Sequence, residues 1–110
     1  MATIDEFNAI DIRVGTVLEV APFPEARKPA FQLLIDFGPE LGSRRSSAQL
    51  TKRYALGELV GRQVVAVVNF PPRRIAGFVS EVLVLGAMPA SDDVILLEPD
   101  QPAPNGSRIA

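Results

Sequence analysis

Apolar and polar residues alternate from Ile10 to Val20: Ile10, Ile12, Val14, Leu18 and Val20 are interleaved with Asp11, Arg13, Gly15 and Glu19. A period of two predicts a half-buried strand. Gly15 sits mid-strand, where a missing side chain marks a bulge or bend, and Pro22 and Pro24 end the run. A second strand is predicted over Phe31 to Phe37, with Phe31, Leu33, Ile35 and Phe37 on one face and Gly38-Pro39 as its stop. Residues 40–50 are polar and hold a short third strand near Ser46 to Leu50. From Thr51 to Gly61, Tyr54, Leu56, Leu59 and Val60 recur at roughly helical spacing, which predicts one or two helical turns closed by Gly61. Gln63 to Asn69 is apolar on both faces, as in a central strand buried on two sides. Val79 to Leu85 and Val94 to Leu97 read as further strands, with a turn over Met88 to Ser91.

Several short strands at regular spacing indicate a sandwich or barrel. A single short helix after the third strand is the element order of an OB-fold, a five-stranded, all-β barrel. The pattern by itself leaves an SH3-like barrel open. With 110 residues the chain makes about one domain. Residues 1–98 are assigned to the barrel. Residues 99–110, with three prolines and Asn105-Gly106, are assigned to an extended tail that ends in a turn and reaches a dimer interface.

Composition narrows the chemistry. There is no histidine and no cysteine, so triads of the Ser-His-Asp or Cys-His type, imidazole or thiolate metal sites and disulfides are excluded. No Walker A motif or Gly-rich dinucleotide loop is present. The adjacent acids Asp92 and Asp93 follow Pro89-Ala90-Ser91 and read as turn chemistry. The expectation is a protein that is not an enzyme and has no metal or cofactor. The first ten residues lack the basic and apolar regions of a signal peptide, and no apolar run is long enough to span a membrane. A cytoplasmic protein without membrane insertion is therefore expected.

The formal net charge of −2 hides an uneven distribution. Residues 26–75 hold nine Lys or Arg against three acids. Residues 1–25 and 76–110 each hold one Arg against five acids. Local fields of this kind attract anions even where the whole chain is slightly acidic. Solvated loops are the plain alternative. The cations come in pairs, Arg27-Lys28, Arg44-Arg45, Lys52-Arg53 and Arg73-Arg74, each placed where elements connect. Pairs on the loops of a small barrel can converge on one patch, as phosphate contacts require.

Nucleic-acid OB-folds also stack bases on aromatic rings. The supply here is one Tyr, six Phe and no Trp. Phe31 and Phe37 fall on a core face; for Tyr54, Phe70 and Phe78, packing is the ordinary reading. The stretch Asn69-Phe70-Pro71-Pro72-Arg73-Arg74 stands out. Its two prolines fix an extended path and would present Phe70 and the arginines at low entropic cost. It reads as a functional loop, against the alternative of a plain strand stop. Ser46-Ser47-Ala48-Gln49 permits close approach of a ligand backbone, and equally suits an ordinary strand edge.

Taken together these residues resemble the tRNA-binding-domain superfamily. Asp11-Ile12-Arg13-Val14-Gly15 resembles its opening strand. Arg27-Lys28-Pro29-Ala30, Ile35-Asp36-Phe37-Gly38, Ser46-Ser47-Ala48-Gln49, Gly61-Arg62-Gln63-Val64, Asn69-Phe70-Pro71-Pro72-Arg73 and Ser80-Glu81-Val82-Leu83-Val84-Leu85-Gly86 follow in family order over residues 7–107. The forms Lys-Pro-Ala, Ser-Ser-Ala-Gln and Ser-Glu-Val-Leu resemble the stand-alone CsaA-type secretion chaperones. The resemblance implies an OB-fold homodimer that binds unfolded or presecretory polypeptides without ATP and works with the protein export machinery.

For peptide binding, the residues of the Phe70 loop and the segment after it, Phe70, Phe78, Leu83, Arg73 and Arg74, are expected to form an apolar pocket with a basic rim. The resemblance also implies an alternative, tRNA binding through the same basic patch. The family positions carried over are Arg27, Lys28, Arg73 and Ser80. Val82 and Leu83 stand where the family's Gly and Met would be, and this more apolar stretch better suits a peptide groove.

Overall fold

The computed structural model describes all residues 1–110. A short helix α1 (Ile4–Asn8) opens the chain. Thr3 and Glu6 form its capping box: the Thr3 hydroxyl accepts from the Glu6 amide at 3.2 Å, and the Glu6 carboxylate accepts from the Thr3 amide at 2.9 Å. β1 (Ile12–Pro22), β2 (Phe31–Asp36), β3 (Ser43–Ala48) and β4 (Gln63–Val67) follow, with α2 (Gly38–Leu41) between β2 and β3 and α3 (Leu56–Leu59) between β3 and β4. The later chain holds β5 (Arg73–Ile75), β6 (Phe78–Ser80), β7 (Leu83–Val84), β8 (Gly86–Ala90) and β9 (Asp93–Leu96).

Five strands form one antiparallel sheet in the order β3-β2-β1-β4-β7, which curls into a nearly closed barrel. The expected all-β, five-stranded barrel with a short helix after its third strand is the fold observed. Two hairpins are added to it, β5–β6 and β8–β9. The barrel interior is filled by Val17, Leu33, Ile35, Phe37, Leu59, Val64 and Ala66, among others. Val64 to Val68 are all buried, as the two-sided apolar pattern predicts.

The first strand departs from simple alternation. Its pairing with β2 shifts between Val17 and Glu19. The bulge falls at Leu18, not at Gly15, and turns Leu18 outward. Gly15 has a different duty: a Cβ there would stand 2.6 Å from Ile35 Cγ2 and 2.8 Å from the Phe37 ring. Its missing side chain lets β2 close over β1.

Other predicted boundaries move for local reasons. β3 begins at Ser43, earlier than expected, because Arg44 and Arg45 pair with Ile35 and Leu34 despite their charge. The single strand expected over Val79 to Leu85 is broken at Glu81 and Val82 into β6 and β7. Met88 and Pro89, expected in a turn, belong to β8, and the reversal falls at Ser91-Asp92.

The C-terminal segment fits into the barrel wall. β1 pairs with β4 over its first half and with β2 over its second. The free edge at Ile12 and Val14 is taken by the tail: Val14 N–H donates to Ser107 C=O at 2.9 Å, Gly106 N–H to Val14 C=O at 2.8 Å, and Ile109 N–H to Ile12 C=O at 2.9 Å. The Asn105 carbonyl oxygen of the side chain accepts from the Thr16 hydroxyl at 2.7 Å.

Candidate binding groove

Two features of the sequence build the site. Three prolines, Pro22, Pro24 and Pro29, stiffen the loop between β1 and β2, and buried Phe23 roots it. That loop carries Arg27 and Lys28. The Pro71-Pro72 pair leads from β4 into β5, whose first residue is Arg73. Asn69 anchors the start of this passage. Its side-chain oxygen accepts from the Asp11 amide at 2.8 Å, and its amide nitrogen donates to Ala9 C=O at 2.9 Å.

Between these loops lies a groove of about 670 Å³. Arg27, Lys28 and Arg73 line it together with Ile75, Leu83, Met88 and Val94, and Ser47 and Gln49 supply polar groups. A smaller pocket of about 260 Å³ continues from it past Arg73 and Leu83 to Phe70, Ser80 and Val82. Phe70 is 44% exposed and Leu83 47% exposed, so both present apolar surface to solvent. For Phe70 this replaces the ordinary core reading.

Of the expected site residues, Arg27, Lys28, Phe70, Arg73, Ser80 and Leu83 are thus brought together. Phe78 is not among the groove residues. It pairs with Ile75 beside the turn of the β5–β6 hairpin, and its ring packs on Phe23 at 5.4 Å between ring centres, tilted by 59°. That contact ties the hairpin bearing Arg73 to the root of the loop bearing Arg27 and Lys28. Arg74 is exposed and also lies outside the groove lining.

The residues Met88 and Val94, from the β8–β9 hairpin, complete the apolar floor. From the sequence, Met88 is expected in a turn and Val94 at the start of the last strand, and neither is expected in the site.

The residues 12–108 match the family described as "Putative tRNA binding domain". The chain belongs to the tRNA-binding-domain family. Within the family it is of the CsaA type. It is 56% identical to the chaperone CsaA of Bacillus anthracis strain Ames, with a TM-score of 0.95 over 100% of this chain and 99% of that one. It is 51% identical to the CsaA chaperone protein of Picrophilus torridus, with a TM-score of 0.92 over 100% of both chains. Methionine--tRNA ligase of Porphyromonas gingivalis is 39% identical over 105 residues, which are 96% of this chain and 15% of the ligase. The chain therefore spans about 15% of the length of the ligases it matches.

This tRNA-binding domain uses its other basic pairs differently. Lys52 and Arg53 face the reversal of the β8–β9 hairpin. Lys52 reaches Asp92 at 3.6 Å, and Arg53 grips both oxygens of Asp93, Nη2 to Oδ2 at 2.8 Å. Hydrogen bonding to Arg53 holds the Asp93 carboxyl below the usual carboxylate range and raises the guanidinium in return. Arg44 donates to Leu41 C=O at 3.1 Å. Arg13, raised above its ordinary value by its hydrogen bond to Asp11, also donates to Gly106 C=O at 3.0 Å.

Those cations are spent on the fold. Arg27, Lys28 and Arg73 have no carboxylate within ion-pair distance. Their charge is available at the groove rim. No group of three or more carboxylates is placed to hold a metal ion. The groove offers apolar contact, cationic contact and a few hydrogen-bonding groups, which is the chemistry of binding.

Proposed function

We propose that this chain is an ATP-independent, chaperone-like protein that binds unfolded or presecretory polypeptides in the cytoplasm and assists their export. The observation that carries the reading is the groove itself. It combines exposed Leu83 and Met88 with a rim of three unpaired cations. Exposed apolar surface edged by charge marks protein-binding sites. The CsaA chaperones that the chain resembles over their full length give the reading its class. We place Phe70, Leu83 and Arg73 in contact with the bound peptide, Arg74 at its outer margin, and Phe78 behind the site. The same reading includes a homodimer, supported by Met1, Ile4 and Phe7, which leave apolar side chains exposed at α1. The export machinery is its proposed downstream partner.

A second reading is favoured by the family match and by the rim cations: tRNA binding through Arg27, Lys28, Arg73 and Ser80. Three neutralised phosphates would give a salt slope of roughly −2 to −3. The deciding experiment titrates labelled tRNA and a labelled unfolded peptide in parallel across ionic strength, with the wild type and Arg73→Glu. Peptide binding that persists in high salt, with suppressed aggregation of an unfolded client at equimolar ratio and no nucleotide, supports the chaperone. Steeply salt-dependent tRNA binding, lost in Arg73→Glu and without peptide binding, replaces it with the second reading.

A further inference from the structure

The guanidinium of Arg45 has no carboxylate within ion-pair distance, and the residue lies outside the groove lining. The ladders show which way its side chain points. Leu34 pairs with Glu19 on one side and with Arg45 on the other. Opposite residues of an antiparallel ladder share a face, so Glu19, Leu34 and Arg45 form one row across three strands. Ala21 and Gln32, also paired, begin the next row on that face. Val17, Leu33 and Ile35, on the opposite face, fill the core, so both rows lie on the outside of the barrel. The bulge in β1 adds Leu18 to the same outer face, where it is 43% exposed.

These outward residues line a basin of about 520 Å³, completed by Val60 after α3 and by Phe78 of β6. The basin shares no lining residue with the groove. Its volume suits a small molecule. Its charged residues are one anion, Glu19, and one cation, Arg45. They form no ion pair with each other or with any other residue. Two cross-strand steps separate them, about 10 Å between Cβ atoms, and strand side chains stand roughly perpendicular to the sheet. A charge-assisted hydrogen bond of about 2.8 Å at each end leaves about 4 Å between the charges of a ligand that meets both. An α-amino acid, with ammonium and carboxylate on one carbon, fits that gap. The ends of an extended dipeptide, about 6–7 Å apart, overrun it.

We propose that this outer basin binds a free α-amino acid with a bulky apolar side chain. Glu19 accepts from the ammonium group, Arg45 donates to the carboxylate, and the side chain lies on Leu18, Leu34, Val60 and Phe78. The inference stands apart from the polypeptide-binding reading, since the two sites have no residue in common. Phe78, left out of the groove, gains a ligand-facing place here. A nucleic-acid backbone would satisfy Arg45 and set its phosphates against Glu19. An unfolded chain carries its two termini far apart and meets one of the two charges at most with them. A zwitterion that carries both charges on one carbon satisfies both.

The test titrates the full, nitrogen-15-labelled chain with L-phenylalanine and follows its amide resonances. Those of Leu18, Glu19, Leu34 and Arg45 should shift saturably, with a Kd of about 1 mM or below. Phenethylamine lacks the carboxylate, 3-phenylpropionate lacks the ammonium group, and glycylphenylalanine sets the charges further apart. Each should bind about tenfold or more weakly. Both charged residues are exposed, so Glu19→Gln and Arg45→Gln should keep the wild-type Tm. Glu19→Gln should lower phenylalanine to the affinity of 3-phenylpropionate, and Arg45→Gln to that of phenethylamine. Equal binding of the amine, the acid and the amino acid overturns the inference and leaves an apolar hollow without charge recognition. Glycylphenylalanine binding as tightly as phenylalanine overturns the free amino acid in favour of a peptide end. No saturable shift at these amides up to about 10 mM overturns the site, and leaves the groove reading untouched.

Discussion

The Ser46 hydroxyl donates to the carbonyl of Val82 at 3.1 Å, linking β3 to the residue before β7. Both residues are buried. The same hydroxyl approaches Ser47 C=O at 3.1 Å, so this one side chain sits at the base of the groove's β3 wall. Ser46→Ala should cost about 1 kcal/mol, read as a fall of a few degrees in Tm. Exchange of the amides at Ser47 and Glu81 should quicken more than that of the β1–β2 ladder. Uniform quickening would mean that the serine supports the whole core and is not a local pin.

Phe78 and Phe23 join the two loops that deliver cations to the groove. Phe78→Ala removes that contact and most of a half-buried ring. A loss of roughly 2–3 kcal/mol is expected, below a fully buried phenylalanine. Affinity for peptide and for tRNA should fall together, because Arg27, Lys28 and Arg73 lose their relative placement. Phe78→Leu should restore part of both. A variant that lost peptide binding alone would return Phe78 to direct contact.

Leu83 and Phe70 make the opposite case. Each is nearly half exposed, so Leu83→Asn and Phe70→Ser should change stability by about 0.5 kcal/mol or less. Under the chaperone reading both weaken binding of an unfolded peptide several-fold while the chemical denaturation midpoint holds. Unchanged peptide affinity in both variants would remove these side chains from the site.

Gly15 tests how the barrel closes. Ile35 Cγ2 is a stiff β-branched methyl and the Phe37 ring is fully buried, so neither can yield cheaply to a new Cβ at 2.6 and 2.8 Å. Gly15→Ala is expected to destabilise by about 1–3 kcal/mol through overpacking, measured by urea unfolding. Stability equal to the wild type would show that β2 can move outward without loss.

Strand positions were legible where burial follows a simple period. Phe31 to Phe37 and Gln63 to Asn69 appear close to their predicted bounds because core and sheet demand the same pattern. The β5–β6 hairpin was hidden for a definite reason. Its turn is Ala76-Gly77, with φ of 47° and 83°, a left-handed pair that Asn-Gly would have signalled and Ala-Gly does not. The capping box of α1 was present in Thr3 and Glu6, but no apolar period follows it, so the helix left no other trace. Six of the expected site residues converge because their loops do, and loop convergence was inferred from the fold class. Phe78 lies outside the groove lining because its ring packs on Phe23 in the β1–β2 loop, a contact between distant segments that no local pattern signals.

Arg53 and Asp93 give the fold a pH dependence with a definite sign. Chiefly through its hydrogen bond, Arg53 holds the folded Asp93 carboxyl below its ordinary value. In the unfolded chain the same carboxyl titrates near about 3.9. The pair's contribution is therefore complete above that value and is lost as pH falls toward the lower folded one. Asp93→Asn deletes the titrating group and keeps a similar shape. The Tm difference between wild type and Asp93→Asn should be level from about pH 7 to pH 5, then shrink below about pH 4. Because Asp93 begins β9 and Val94 next to it lines the groove, the variant should also bind peptide more weakly at neutral pH. A Tm difference that grew on acidification would require a folded carboxyl that binds protons more readily than the unfolded one, the reverse of what a guanidinium partner produces.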